Sequence, residues 1–69
     1  MEEELVLKNK VKLARVEKEY SQEGLASIIG VSRQTIISIE KGTYCPSTKL
    51  ALILAAALDK TVEELFYLE

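Results

Sequence analysis

Arg33, Gln34, Ile37, Ser38 and Lys41 are the residues of this chain best equipped for chemistry, and that chemistry is recognition. At helical spacing they share the side turned away from Ile36 and Ile39. Arginine offers two donors that match guanine O6 and N7, and glutamine pairs in two-point fashion with adenine N6 and N7. Ile37 has no hydrogen bond to give but can touch a thymine methyl, and Ser38 is short and adaptable. Lys41, with the backbone at Gly42 and Thr43, stands where phosphates beyond such a helix would lie. On an arbitrary helix the same residues would be surface filler. Catalysis has far less material. The chain has no histidine, one cysteine and one aspartate, which leaves almost no set of base, nucleophile or metal ligands. Tyr20, Tyr44 and Tyr67 read as packing or rim residues, and Cys45 beside Pro46 as a packing residue. No enzymatic activity, cofactor or metal is expected.

The recognition residues need a rigid mount, and the surrounding sequence supplies one. Gln22 to Ile29 reads as one helix and Arg33 to Lys41 as a second. Ser32 stands at the N-cap of the second, where its hydroxyl can accept from free backbone N–H groups. Gly30 stands where the first must stop, because glycine takes the left-handed conformation without steric cost. Leu25, Ala26, Ile29, Val31, Ile36 and Ile39 then point inward, with Ala26 small enough for two helices to cross closely. Two helices around a short glycine-containing turn make a helix-turn-helix.

The rest of the chain reads as three further helices, giving an all-α domain of five helices without a sheet. Met1 to Glu4 is an acidic start or a first helical turn. Helix one spans Leu5 to Lys18, with Leu7, Val11 and Ala14 as its buried stripe. Leu13 and Val16 lie off that stripe. Ser21 caps the next helix, although Gly24 stands three residues on where a capping box would place Glu or Gln. Gly24 costs that helix about 1 kcal/mol relative to alanine. Pro46 and Ser47 open a helix from Thr48 to Leu58. Its inward face carries Leu50, Ala51, Leu54 and Leu58, and its outward face carries Ile53 and Ala56 between Lys49 and Lys60. Thr61 caps a last helix from Val62 to about Tyr67, followed by an apolar end.

The run Gln22 to Gly42, with Ser21, resembles the phage-repressor and Cro-type helix-turn-helix family. The matching residues are Ser21-Gln22-Glu23, Leu25-Ala26, Gly30 through Ile36 and Ile39-Glu40-Lys41-Gly42. Pro46-Ser47, Leu50-Ala51-Leu52, Arg15 and Glu63-Glu64-Leu65-Phe66 extend the likeness over nearly the whole chain, 1–69 as one domain. It is most similar to small single-domain repressors of bacteria and archaea. The resemblance implies that Arg33, Gln34, Ile37 and Ser38 read bases in the major groove. It implies phosphate contacts from Gln22, Ser32, Lys41, Gly42 and Thr43, and an Arg15–Glu40 ion pair tying helix one to the end of helix three. Two surface charges without a shared role remain the plainer alternative for that pair.

Sixty-nine residues form one small domain, which buries only about 60% of its unfolded surface and so needs a dense apolar core. A hydrophobic share of 48% provides it. The net charge of −2 argues at first against nucleic acid. From Leu5 to Leu58, however, there are eight basic residues against four acidic ones, so the middle carries +4, and local potential steers a polyanion. Leu50 to Leu58 is the longest apolar run, well short of the roughly 20 residues of a spanning helix. The lone cysteine fits a reducing cytoplasm, and with Met1-Glu2-Glu3-Glu4 in place of a basic stretch no secretory signal is expected. Expected partners are double-stranded DNA and a second copy of the chain, with no membrane and no small-molecule effector. One reading helix covers only a few base pairs, too few to find a site in a genome. A twofold dimer on a palindromic operator doubles the readout, with Ile53, Ala56, Phe66, Tyr67 and Leu68 as the expected contact, or Leu13 and Val16 in their place. Two functions follow: a sequence-specific transcriptional regulator, expected to repress, and a protein-interaction module on the same fold, antitoxin-like or an adaptor.

Overall fold

The computed structural model describes residues 5–69, so the expectation for Met1 to Glu4 lies outside it. Four helices open on a hydroxyl. Ser21, Ser32, Ser47 and Thr61 accept from the backbone N–H of Gly24, Thr35, Leu50 and Glu64, three residues on in each case. These caps start α2 (Gln22–Ile29), α3 (Arg33–Lys41), α4 (Thr48–Leu58) and α5 (Val62–Leu65). At α5 the cap is reciprocal. Glu64 Oε1 accepts from Thr61 N–H at 2.8 Å, and this backbone N–H, aided by the charge of Lys60, holds the Glu64 carboxyl below its ordinary range. Gly30 (φ 79°) and Gly42 (φ 83°) end α2 and α3 in the left-handed conformation, the geometry that favours glycine.

The first helix is shorter than its periodicity suggests. α1 covers Val11–Glu17, and the residues before it form a strand, β1 (Leu7–Asn9). Asn9 makes the break: its Oδ1 accepts from Val11 N–H at 3.1 Å, and its Nδ2 donates to Ile39 O at 2.9 Å. Thus Leu7 is not part of a helical stripe, while Val11 and Ala14 are buried as expected. The last helix also stops early. Phe66 is extended (φ −126°, ψ 140°) and begins β2 (Phe66–Leu68). The two strands pair antiparallel, Leu7 with Leu68, Lys8 with Tyr67 and Asn9 with Phe66, and Val6 and Glu69 exchange both backbone hydrogen bonds at 2.9 Å. Lys10 N–H closes the ribbon on Leu65 O at 2.7 Å. The domain is therefore five helices joined end to end by a small ribbon, which corrects the all-α expectation. Each strand is three residues, too short to show an alternating pattern, and its partner lies at the far end of the chain.

Val11, Leu25, Ile36, Ile39, Leu54, Leu58 and Leu65 are fully buried and form the centre, joined by Ala14, Ala26 and Ala55. α2 packs against both α3 and α4, and α1 against α3, with small residues easing the close fit. Ile29, Val31 and Leu50 lie at the edge of this core, half-buried. The centre thus backs α2 and α3 from behind and leaves the outer side of α3 free.

Candidate nucleic-acid interface

α3 is fixed from inside at both ends. Ile36 and Ile39 pin it to the core. At its C-terminal end, Glu40 takes part in a closed polar network. Arg15 Nε donates to Glu40 Oε2 at 2.7 Å and Arg15 Nη2 to Glu40 Oε1 at 3.4 Å. Arg15 Nη1 donates to Tyr20 O at 2.8 Å, and Gln22 Nε2 to Glu40 Oε1 at 3.2 Å. Both charges of the pair are nearly buried, with side chains 10% and 6% exposed. Among the described residues no buried side-chain nitrogen or oxygen lacks a partner. One network therefore joins α1, the turn at Tyr20, α2 and α3.

What this mount presents outward is the capped first two turns of α3. Arg33 and Gln34 are exposed, and Ile37 and Ser38 are half-buried beside them. Gln34 Nε2 donates to Ser38 Oγ at 3.2 Å. Ser32 Oγ lies 3.0 Å from Thr35 Oγ1 and accepts from Thr35 N–H at 3.2 Å, so it serves the helix first. Lys41 is exposed at the far end. The backbone next to it faces inward: Gly42 N–H donates to Ile39 O at 3.0 Å and Thr43 N–H to Ser38 O at 3.0 Å. Thr43 Oγ1 also donates to Ser38 O. Neither main-chain N–H is free for an anion in this conformation, which leaves the Lys41 ammonium as the outward cation there. Gln22 has spent one amide N–H on Glu40 and keeps one more.

Tyr44 is the residue the sequence reading undervalued. It is 45% exposed and walls a shallow groove with Ser32, Gln34, Thr35 and Ser38. Its N–H donates to Ser38 O at 3.3 Å, a back-folded loop that residue types alone do not announce. Among the expected contact residues, Ile53 and Ala56 are exposed on α4, Leu68 is exposed on β2, and Phe66 is half-buried against the core. The ribbon sends neighbouring side chains to opposite faces. Phe66 shares an apolar groove with Leu7, Ala51 and Leu52, whereas Tyr67 lies under Lys10, 5.6 Å from ring centroid to ammonium. Tyr67 therefore stands apart from the α4 patch, and Leu52, 57% exposed, extends it.

Residues 11–65 match the family model described as helix-turn-helix. The chain belongs to the helix-turn-helix family of phage-repressor and Cro type. Among its relatives, the HTH-type transcriptional regulator YgzD of Bacillus subtilis is 49% identical over 63 residues, covering 91% of this chain and 96% of that protein. A protein of the same description from Methanocaldococcus jannaschii is also 49% identical over 63 residues, with the same coverage. The crystal structure of the restriction-modification controller protein C.AhdI from Aeromonas hydrophila is similar at a TM-score of 0.73 and 35% identity, over 78% of this chain and 82% of that one. A Bacteroides fragilis structure, 24% identical with a TM-score of 0.81 over 90% of this chain and 100% of that one, shares the fold. Among the described residues, no helix of this family member is long and apolar enough to cross a membrane.

Proposed function

We propose that this chain is a sequence-specific DNA-binding transcriptional regulator that lays α3 in the major groove and represses by occupying a palindromic operator as a dimer. The observation that carries the reading is the α3 surface. A capped helix end, braced from behind by the Arg15–Glu40–Gln22 network, holds Arg33 and Gln34 clear of the body with Ile37 and Ser38 alongside. Arg33 suits guanine and Gln34 adenine. Lys41 and the second N–H of Gln22 flank them for phosphates, with Ser32, Gly42 and Thr43 at the margin of that contact. The names of the YgzD relative and of the controller protein support the regulatory role. A DNA-binding role places the protein with the nucleoid.

The second copy is expected on the α4 side, through Ile53, Ala56, Leu68 and the Phe66 groove, with Tyr67 at the edge. A contiguous apolar patch marks an interface more often than scattered residues do, and a twofold contact sets half-sites about 34–36 Å apart. Selection of duplexes from a random pool tests the function. Enrichment of an inverted repeat, bound with an affinity that falls steeply with salt as counterions are released, is the expected result. A pool that yields no consensus, together with salt-insensitive binding, would favour the protein-interaction role on the same fold.

A further inference from the structure

We propose that Ser38 is a positioning residue for Gln34, and that together they specify an A·T base pair with adenine facing Gln34. This rests on the reading that α3 enters the major groove. Gln34 Nε2 donates to Ser38 Oγ at 3.2 Å, one helical turn away, where side chains on one face meet. A primary amide carries two N–H hydrogens and one oxygen. With the hydrogen trans to Oε1 given to Ser38, Oε1 stands beside the other: an acceptor next to a donor.

Adenine shows its N6 donor beside its N7 acceptor, the complement of that edge. Guanine shows two acceptors, O6 and N7. To satisfy guanine, Gln34 must offer both N–H hydrogens, and Ser38 holds one of them. Oε1 would then face O6, acceptor against acceptor. The intrahelical bond therefore excludes guanine without Ser38 touching a base. It also fixes the free rotation of the amide before DNA arrives, which lowers the ordering cost of binding.

The surroundings leave this pair undisturbed. Ser32 and Thr35 satisfy each other and do not compete for the amide. The Ser38 carbonyl is held by Thr43 and Tyr44 N–H groups at 3.0 and 3.3 Å, so the backbone under the hydroxyl is pinned. The groove between Gln34, Ser38 and Tyr44, about 230 Å³, is open to a base edge.

The test uses the full chain and duplexes carrying its selected site, with each base pair exchanged in turn, read by fluorescence anisotropy. Wild type is expected to prefer A·T over G·C at one Gln34-dependent position by about 5- to 150-fold. Ser38→Ala lowers that ratio by about two- to tenfold, through tighter binding of the G·C duplex. Ser38→Thr, which keeps the hydroxyl, keeps the ratio. In a Gln34→Ala background, Ser38→Ala changes nothing further at that position. A Ser38→Ala effect that survives in that background or falls on another base pair overturns the proposal and leaves α3 as the reading helix. Guanine at the Gln34-dependent position overturns it as well. If Arg33→Ala and Gln34→Ala alter preference at no base pair, the major-groove reading itself fails.

Discussion

Arg15 and Glu40 carry charges almost out of water, and each is tolerable only because the other is present. Removing one strands its partner in a site that Tyr20 O and Gln22 cannot neutralise. Arg15→Ala or Glu40→Ala should each cost about 3–5 kcal/mol, measured by urea unfolding. The double variant should recover part of that loss, since neither charge is left alone, and simple additivity of the two single losses would mean that they do not interact. The pair was legible in the sequence through the family resemblance and not through spacing, because 25 residues separate the partners. Gln22 was legible only in part. The family resemblance placed it toward phosphate, whereas the structure also gives it Glu40 Oε1, a partner that depends on how α2 and α3 cross.

At the scale of elements, the caps carried most of what sequence could reveal. Ser21, Ser32, Ser47 and Thr61 announce four helix starts because hydroxyl capping is a local event, and Gly30 and Gly42 announce two stops for the same reason. The ribbon was hidden because its stability comes from pairing across the whole chain. Leu5 to Lys18 has enough apolar residues at helical spacing to pass for one helix. Asn9 ends that pattern by accepting from Val11 N–H and reaching Ile39, and only the tertiary fold brings Ile39 there. Amide hydrogen exchange separates the two readings. Val6, Lys10 and Glu69, which are bonded across the ribbon, should exchange slowly. Leu68, opposite Leu7 in a pair that exchanges no hydrogen bonds, should exchange fast. Continuous protection from Asn9 through Lys18 with fast exchange at Val6 and Glu69 would restore the long helix, whose first four N–H groups have no partner.

For the whole molecule, the outstanding feature is apolar surface that the monomer leaves uncovered on one side. Leu52 and Leu68 are exposed beside the groove that Phe66 and Leu7 line, and Ile53 is exposed next to Leu52 on α4. The outward apolar face of α4 could be read from sequence; its continuation onto β2 could not, because the ribbon decides which of Phe66, Tyr67 and Leu68 shares that face. A second copy covering this patch predicts a dimer in solution at micromolar concentration. Ile53→Lys with Leu68→Glu should give a monomer by sedimentation, whereas Tyr67→Glu alone should stay dimeric. A wild type that remains monomeric at high micromolar concentration would remove the dimer, and a double variant that stays dimeric would move the contact to Leu13 and Val16.

Base reading by α3 is the central claim, and one comparison bears on it most directly: the affinities of wild type, Arg33→Ala and Lys41→Ala for the selected duplex and for an unrelated one. Arg33→Ala should lose about 1–3 kcal/mol on the selected duplex and little on the unrelated one, relaxing preference at one base pair. Lys41→Ala should weaken both duplexes alike and reduce the salt slope by about one. Equal affinity of wild type and Arg33→Ala for the selected duplex would contradict the account.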